Sequence, residues 1–182
     1  MHEVSLGGTL CDYLTGEQRE RTTYEDLRQA LARFLVEERN YPKERLQPRK
    51  PVYYKVDGQE LSREADIAVL APDAGILLIL IFCPGQVHTF TREVTAMARL
   101  VLPHPCPLAL VTDMREAELF SVRNGTILET GLAALPAYDY LLILASENFQ
   151  APLTLEQREK ESRILHMYTG LLKTCCGEIC RL

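Results

Sequence analysis

The chain has 182 residues, of which 47% are hydrophobic and 25% are charged, so it is long enough to bury the core of one globular domain. Its net charge of -5 and its pI near 5.4 exclude a general attraction to polyanions, so any contact with nucleic acid must come from a local patch. The first residues lack the basic start and apolar core of a signal peptide, and no segment is long enough to cross a membrane. We therefore expect a cytoplasmic protein without membrane contact, with its six cysteines reduced.

The N-terminal part is predicted to be a polar arm followed by a helix. The arm includes residues 11–16, which carry one aromatic residue, Tyr13. Thr22-x-x-Glu25 is typical of a capping box, and the apolar residues after it recur at helical spacing. The pattern predicts a helix over residues 24–39. Glu25 has two interpretations, a helix cap that suits the helix dipole or an acidic group that faces a metal site, and the sequence favours the cap.

Five cations within twelve residues follow this helix: Arg39, Lys43, Arg45, Arg49 and Lys50. Clustered lysines and arginines are what a contact with a nucleic-acid backbone requires, so this stretch is a candidate DNA-binding rim. The alternative is a solvated loop and strand edge. Three prolines in or directly after this stretch, Pro42, Pro48 and Pro51, and the acidic overall charge favour this alternative.

The rest of the chain predicts an α/β fold with a mixed central sheet flanked by helices. Residues 76–83 form an apolar run between turn residues, as expected of a central strand buried on both faces. We predict further strands at 52–56, 61–71, 107–113, 117–122 and 126–129 and a helix at 89–102. Residues 138–145 fit either a helix or a strand, and the charged helix that follows closely favours a helix. A second capping box, Thr154-x-x-Gln157, predicts a final helix. Residues 1–150 are thus expected to form one domain, and residues 151–182 a helix and a cysteine-rich tail that pack on it or on a partner.

One acidic residue, Asp66, lies early in the strand that precedes the central strand. This layout is typical of metal-dependent cleavage of phosphodiesters. In that chemistry the second strand ends in Glu-x-Lys, whose Glu joins the Asp on Mg²⁺ and whose Lys positions the attacking water. Here those two positions are Phe82 and Pro84.

The chain resembles the N-terminal nuclease-like domain of type I restriction enzyme R subunits, in the PD-(D/E)xK superfamily. The resemblance rests on the order and spacing of several short motifs: residues 12–16, Glu25-x-x-Arg28-Gln29, residues 35–43, Arg63-x-x-Asp66-Ile67, residues 107–113 and residues 159–165. It implies a restriction-endonuclease-like fold and suggests DNA as the ancestral ligand. It also implies that Asp66 matches the metal-binding Asp and that Glu25 matches an acidic helix residue bordering the site.

The departure at Phe82 and Pro84 predicts that the usual nuclease chemistry has been lost and that no cofactor is needed. Asp66 then requires another partner, for which Arg63, Lys55 or a backbone N–H is suitable. The alternative is an active Mg²⁺-dependent deoxyribonuclease with relocated groups. Its candidate ligands are Asp73, Glu64 and Glu60, and its candidate cations are Arg92 and Arg99.

The C-terminal tail contains Cys175, Cys176 and Cys180, with His166 earlier in the helix. Thiolates bind Zn²⁺ or iron–sulfur clusters, but this spacing is not that of a closed metal site, so structural cysteines are the preferred interpretation. The apolar stripe of the final helix must pack on the sheet, on a protein partner or on a second copy of the chain. A purely structural partner protein is therefore the third functional hypothesis.

Overall fold

The computed structural model describes residues 3–73, 75–83 and 86–177, of which 171–177 are described as backbone only. The described residues contain eight strands and four α-helices. The strands are β1 Ser5–Cys11, β2 Gln18–Thr22, β3 Leu46–Val56, β4 Gln59–Leu70, β5 Ile76–Phe82, β6 Leu108–Thr112, β7 Ala117–Ser121 and β8 Ile127–Thr130. The helices are α1 Thr23–Arg39, α2 Thr91–Leu100, α3 Tyr138–Glu147 and α4 Leu155–Gly177, and short 3₁₀ turns cover Lys43–Arg45, Val87–Phe90 and Gly131–Ala134.

The central sheet has six strands in the sequential order β3 to β8. Its pairs are antiparallel except β5 and β6, which run parallel and are joined through α2. The predicted fold class is confirmed: the architecture is a mixed α/β sheet flanked by helices, with an additional C-terminal helix. It is consistent with the restriction-endonuclease-like fold that the resemblance implied.

Strand β5 is buried on both faces, as its unbroken apolar run predicted. Leu78, Leu80 and Phe82 lie in a core with residues of α1 and α3, whereas Ile79 and Ile81 lie in a second core with residues of α2 and α4. The alternation follows from the two-residue period of a strand. The sheet therefore separates an α1/α3 face from an α2/α4 face, and β5 supplies apolar side chains to both.

The N-terminal arm contains two strands that the sequence did not predict. Strands β1 and β2 form an antiparallel hairpin, which is a two-stranded sheet of its own. Nearly all of its residues are exposed or half-buried, so the apolar alternation by which strands are recognised is missing. Gly7 and Gly8 both have a positive φ where the register of the hairpin shifts, which further disguises the first strand.

Strand β3 is longer than predicted and includes two of the prolines that had indicated a loop and strand edge. Pro48 and Pro51 are tolerated because β3 is an edge strand, which leaves one side of its backbone unpaired. The final helix α4 packs on α2 and reaches β3. Leu165 of α4 is fully buried in the α2/α4 core, and Glu161 forms ion pairs with both Arg92 and Arg99 of α2 at 2.7 and 2.8 Å.

Candidate functional site

Helix α1 presents three polar side chains toward the sheet: Glu25, Arg28 and Gln29. Their spacing of i, i+3 and i+4 places them on one face of the helix. Arg28 Nη1 donates to Glu25 Oε2 at 2.6 Å, and Gln29 Nε2 donates to Glu25 Oε1 at 2.7 Å. The side chain of Glu25 is only 5% exposed and that of Arg28 only 11%. A buried carboxylate therefore lies at the start of α1 with hydrogen-bond donors on both of its oxygens.

Asp66 of β4 joins this group through the same arginine. Arg28 Nη2 donates to Asp66 Oδ1 at 2.6 Å, and the backbone N–H of Phe82 donates to Asp66 Oδ2 at 2.8 Å. The predicted backbone N–H partner is thus confirmed. The prediction that Arg63 is the partner is wrong, because Arg63 Nε donates to Glu93 of α2 at 3.0 Å. Arg28 thus bridges Asp66, which the resemblance matches to the metal-binding Asp, and Glu25, which the resemblance places at the border of that site.

A second arginine connects Glu25 to the turn of the β1–β2 hairpin. Arg49 Nη2 donates to Glu25 Oε2, and Arg49 Nη1 lies 3.3 Å from Asp12 Oδ2. Asp12 Oδ1 accepts the backbone N–H groups of the next turn residues at 2.9 and 3.0 Å, and Gln29 Oε1 accepts the N–H of Tyr13 at 2.6 Å. We call these six residues the acid–arginine network: Asp12, Glu25, Arg28, Gln29, Arg49 and Asp66.

Strands β3 and β4 both change faces where they enter the network. Leu46 belongs to the α1/α3 core and Val52 to the α2/α4 core, although an even separation should keep them on one face. Ile67 and Ala65 show the same switch on β4. The ladder pairs Pro48–Ile67 and Lys50–Ala65 bracket the switch, and Arg49 between them has a φ of 50°, in the left-handed region. This local distortion allows side chains from both strands to reach α1.

The network favours ionised carboxylates. Burial alone would raise the pKa of Asp12, but the N–H groups of the turn, Gln29 and Arg49 together hold this pKa below its ordinary value. Burial likewise opposes ionisation of Glu25, but its bonds to Gln29 and Arg49 and the charge of Arg28 lower its pKa. Both acids are therefore charged at neutral pH, and their charges are compensated inside the protein.

We expect acidification to destabilise the fold through this network. A carboxyl whose folded pKa is depressed contributes stability above its unfolded pKa, and that contribution is lost as the pH falls through the folded value. The window therefore lies below the ordinary values of 3.8 for Asp12 and 4.5 for Glu25. Urea denaturation at pH 7 and at stepwise lower pH measures the loss. The variant Asp12→Asn should show a shallower dependence, and an identical slope would contradict the assignment.

The position that the resemblance matches to a second metal ligand holds a phenyl ring. Phe82 is only 6% exposed and belongs to the α1/α3 core, the same face of the sheet from which Arg28 approaches Asp66. It offers the site its backbone N–H and no side-chain oxygen. Pro84, the position of the family lysine, lies outside the described residues.

The groups considered for a relocated metal site are not gathered at Asp66. Glu60 and Glu64 are exposed on β4, and Asp73 accepts the N–H of Gly75 in the next turn. The candidate cations Arg92 and Arg99 bind Glu161 on the α2/α4 face. Among the residues that the structure describes, no three His, Cys, Asp or Glu side chains form a group able to hold a metal ion.

The five cations proposed for DNA have different environments. Arg49 is part of the network, and Arg45 Nη1 donates to the carbonyl oxygen of Ala71 at 2.9 Å. Arg39 lies over the ring of Phe34 and Lys43 over the ring of Tyr13, at 5.0 and 4.6 Å from the centroids, and Lys50 lines a cavity of about 150 Å³ beside Ile76 and Leu102. Two of the five thus use their donors inside the protein.

The C-terminal helix α4 bears on two hypotheses, the packing of its apolar stripe and a metal site at its cysteines. Its apolar residues Ile164 and Leu165 pack against the α2/α4 core, so this part of the stripe is covered by the same chain. The side chains of Cys175 and Cys176 and the whole of Cys180 lie outside what the structure describes, as does a thiolate metal site built from them. Within the described residues, no helix is both long and apolar enough to cross a membrane.

Three network residues were missed as site residues by sequence reasoning: Asp12, Arg28 and Gln29. A signal existed for the two on α1, because their spacing from Glu25 places them on its face of the helix. The Thr22 half of the predicted capping box is confirmed, since Thr22 Oγ1 accepts the N–H of Glu25 at 3.0 Å. The Glu25 carboxylate itself is engaged by the network.

A family of known proteins matches the part of the chain that contains Glu25 and Asp66. The family model described as the type I restriction enzyme R protein N terminus matches residues 23–136, which extend from the start of α1 to the end of the last strand and its following turn. No curated protein matches the chain. Because the match covers more than half of the sequence and includes both Glu25 and Asp66, the chain belongs to the family of type I restriction enzyme R protein N termini.

Proposed function

We propose that this chain is a catalytically degenerate restriction-endonuclease-like domain that acts by binding, with DNA as its ligand. The observation that supports the loss of catalysis is the position of Arg28. Its guanidinium lies between Glu25 and Asp66 and is hydrogen-bonded to both at 2.6 Å. A fixed cation of the chain thus binds Asp66, the residue that the resemblance matches to the metal-binding Asp.

The residues present do not fit Mg²⁺. This ion requires a near-octahedral set of oxygen ligands at about 2.0–2.1 Å. Each of the four carboxylate oxygens of Glu25 and Asp66 already accepts an N–H group. Phe82 replaces a further carboxylate with a phenyl ring. Binding a metal here would require Arg28 to leave the buried carboxylate of Glu25 and the half-buried carboxylate of Asp66, and its own charge would then need a new partner.

DNA is the proposed ligand because the chain belongs to this family and because five cations cluster in the sequence between Arg39 and Lys50. The matching family is part of a restriction enzyme, a class of protein that acts on DNA. Loss of the metal site removes the chemistry but does not remove the surface that meets the nucleic acid. The alternative of a protein partner or a second copy at α4 has less support, since Leu165 and Ile164 already pack on the same chain.

Calorimetric titration with Mg²⁺ and Mn²⁺, together with a plasmid-cleavage assay on the same samples, tests this proposal. We expect neither saturable metal binding nor cleavage in the wild-type protein or in Asp66→Ala. The matched control is Asp73→Ala, which removes an exposed acid from the β4–β5 turn and keeps the network intact.

The proposal that catalysis has been lost would be overturned by metal-dependent cleavage that disappears in Asp66→Ala and persists in Asp73→Ala. It would instead support the alternative, a Mg²⁺-dependent deoxyribonuclease whose Arg28 moves away when the ion and DNA bind. Binding of DNA without cleavage in the wild-type protein is the expected result.

A further inference from the structure

Two cations from different parts of the chain meet at the ring of Tyr13. The guanidinium carbon of Arg33, on α1, lies 4.7 Å from the ring centroid, and Nζ of Lys43, in the turn before β3, lies 4.6 Å from it. Both distances are within the range of a cation–π interaction. The two charges are therefore at most about twice that distance apart, although neither is close in sequence to Tyr13.

Neither cation has a carboxylate partner in the described part of the chain. No ion pair there includes Arg33 or Lys43, although Glu37 lies one helical turn beyond Arg33 and Glu44 adjoins Lys43. Arg33 and Lys43 are both exposed. The nearby arginines of the network, in contrast, have acidic partners. The ring thus holds two cations whose charges face solvent.

The ring between these cations is held by the acid–arginine network. The N–H of Tyr13 donates to Gln29, and the turn that carries Tyr13 is fixed by Asp12, whose second oxygen binds Arg49. The ring also packs against the α1/α3 core. Cations that rest on a fixed ring lose less conformational freedom when they bind an anion than free side chains do.

We infer that Tyr13, Arg33 and Lys43 form a phosphate-binding platform for the backbone of DNA, an inference that rests on the proposed function. Two exposed cations without acidic partners, held close together, are complementary to the repeated negative charge of a phosphodiester chain. The approach of both cations to one ring leaves less of it for base stacking, so the platform is expected to bind phosphates and to be indifferent to sequence.

This platform differs from the set of cations that the sequence indicated. It shares Lys43 with that set, but it replaces Arg45 and Arg49, whose donors are used inside the protein, with Arg33. Arg33 lies in the middle of α1, away from the cation-rich stretch. Only the fold brings it to the same ring as Lys43.

The test is the binding of a short fluorescent DNA duplex of mixed sequence, measured by anisotropy between about 50 and 200 mM salt. The double variant Arg33→Gln/Lys43→Gln should bind about 10–100-fold more weakly near 0.1 M salt. Its slope of log K against log salt should be shallower by about 2, because each lost phosphate contact removes about 0.9. The matched control is Arg123→Gln, an exposed cation in the β7–β8 turn, whose slope should equal that of the wild type.

Two further measurements separate the possible failures. Urea denaturation should show a loss of at most about 2 kcal/mol for the double variant, because both substituted side chains are exposed and lose only their cation–π contacts with Tyr13. Wild-type binding with an unchanged slope in the double variant would overturn the platform and leave the proposed function intact. Absence of wild-type binding to the duplex would overturn DNA as the ligand, and the platform with it.

Discussion

Replacing Glu25 by alanine is expected to lower the free energy of unfolding by about 3–5 kcal/mol. Glu25 accepts hydrogen bonds from Arg28, Gln29 and Arg49 while only 5% of its side chain is exposed. Its removal leaves two largely buried guanidinium groups with less negative charge beside them and an amide without its acceptor. Breaking one partner out of a buried ion pair costs far more than losing a surface pair.

Urea denaturation of Glu25→Ala and Glu37→Ala measures this effect. Glu37 is an exposed acid on the same helix, so its removal tests the cost of an acid-to-alanine change away from the network and should alter stability by less than about 0.5 kcal/mol. Equal stabilities for the two variants would mean that the network contributes nothing and that Arg28 and Arg49 find other partners.

The second large effect is expected at Leu165 of α4, where truncation to alanine should reduce the free energy of unfolding by about 2–5 kcal/mol. Leu165 is fully buried in the α2/α4 core. Around it, Glu161 binds Arg92 and Arg99, and Arg158 Nη2 donates to the carbonyl oxygen of Leu100 at 2.8 Å. We therefore expect α4 to unfold together with the sheet.

The matched control is Met167→Ala, two residues further along the helix, whose side chain is 66% exposed. It should change stability by less than about 0.5 kcal/mol. An unchanged denaturant slope m in Leu165→Ala would show that α4 belongs to the same cooperative unit. A small loss for Leu165→Ala together with a separate early transition would show instead that the helix detaches independently.

The parts of the fold that sequence predicted are those with a strong periodic signal. The apolar run of β5 predicted a strand buried on both faces, and the stripe of α2 predicted an amphipathic helix, because hydrophobic periodicity reflects burial directly. The parallel pairing of β5 and β6 follows from the helix between them.

Hydrophobic periodicity does not predict the β1–β2 hairpin. Its residues are exposed, so its two strands have no apolar pattern, and its pairing depends on backbone hydrogen bonds that composition does not reveal. The prolines of β3 predicted a loop and a strand edge, and the strand edge is confirmed, because Pro48 and Pro51 lie within β3 at the edge of the sheet.

The network could be predicted only in part. Asp66, Glu25 and the lost position at Phe82 followed from the resemblance, and Arg28 and Gln29 lie at helical spacing from Glu25. The contact of Arg49 with Asp12 joins residues 37 positions apart, and it depends on a left-handed backbone at Arg49. A non-glycine residue in that conformation has no signature in the sequence.

The bridging position of Arg28 has a consequence for the chain's dependence on its surroundings. A metal ion exchanges with solvent, is depleted by chelators and competes with other ions of the cell. A guanidinium attached to α1 is present in every molecule and has an effective concentration set by the fold. The positive charge that joins Glu25 to Asp66 is thus a covalent part of the chain. We therefore expect that EDTA does not change the free energy of unfolding.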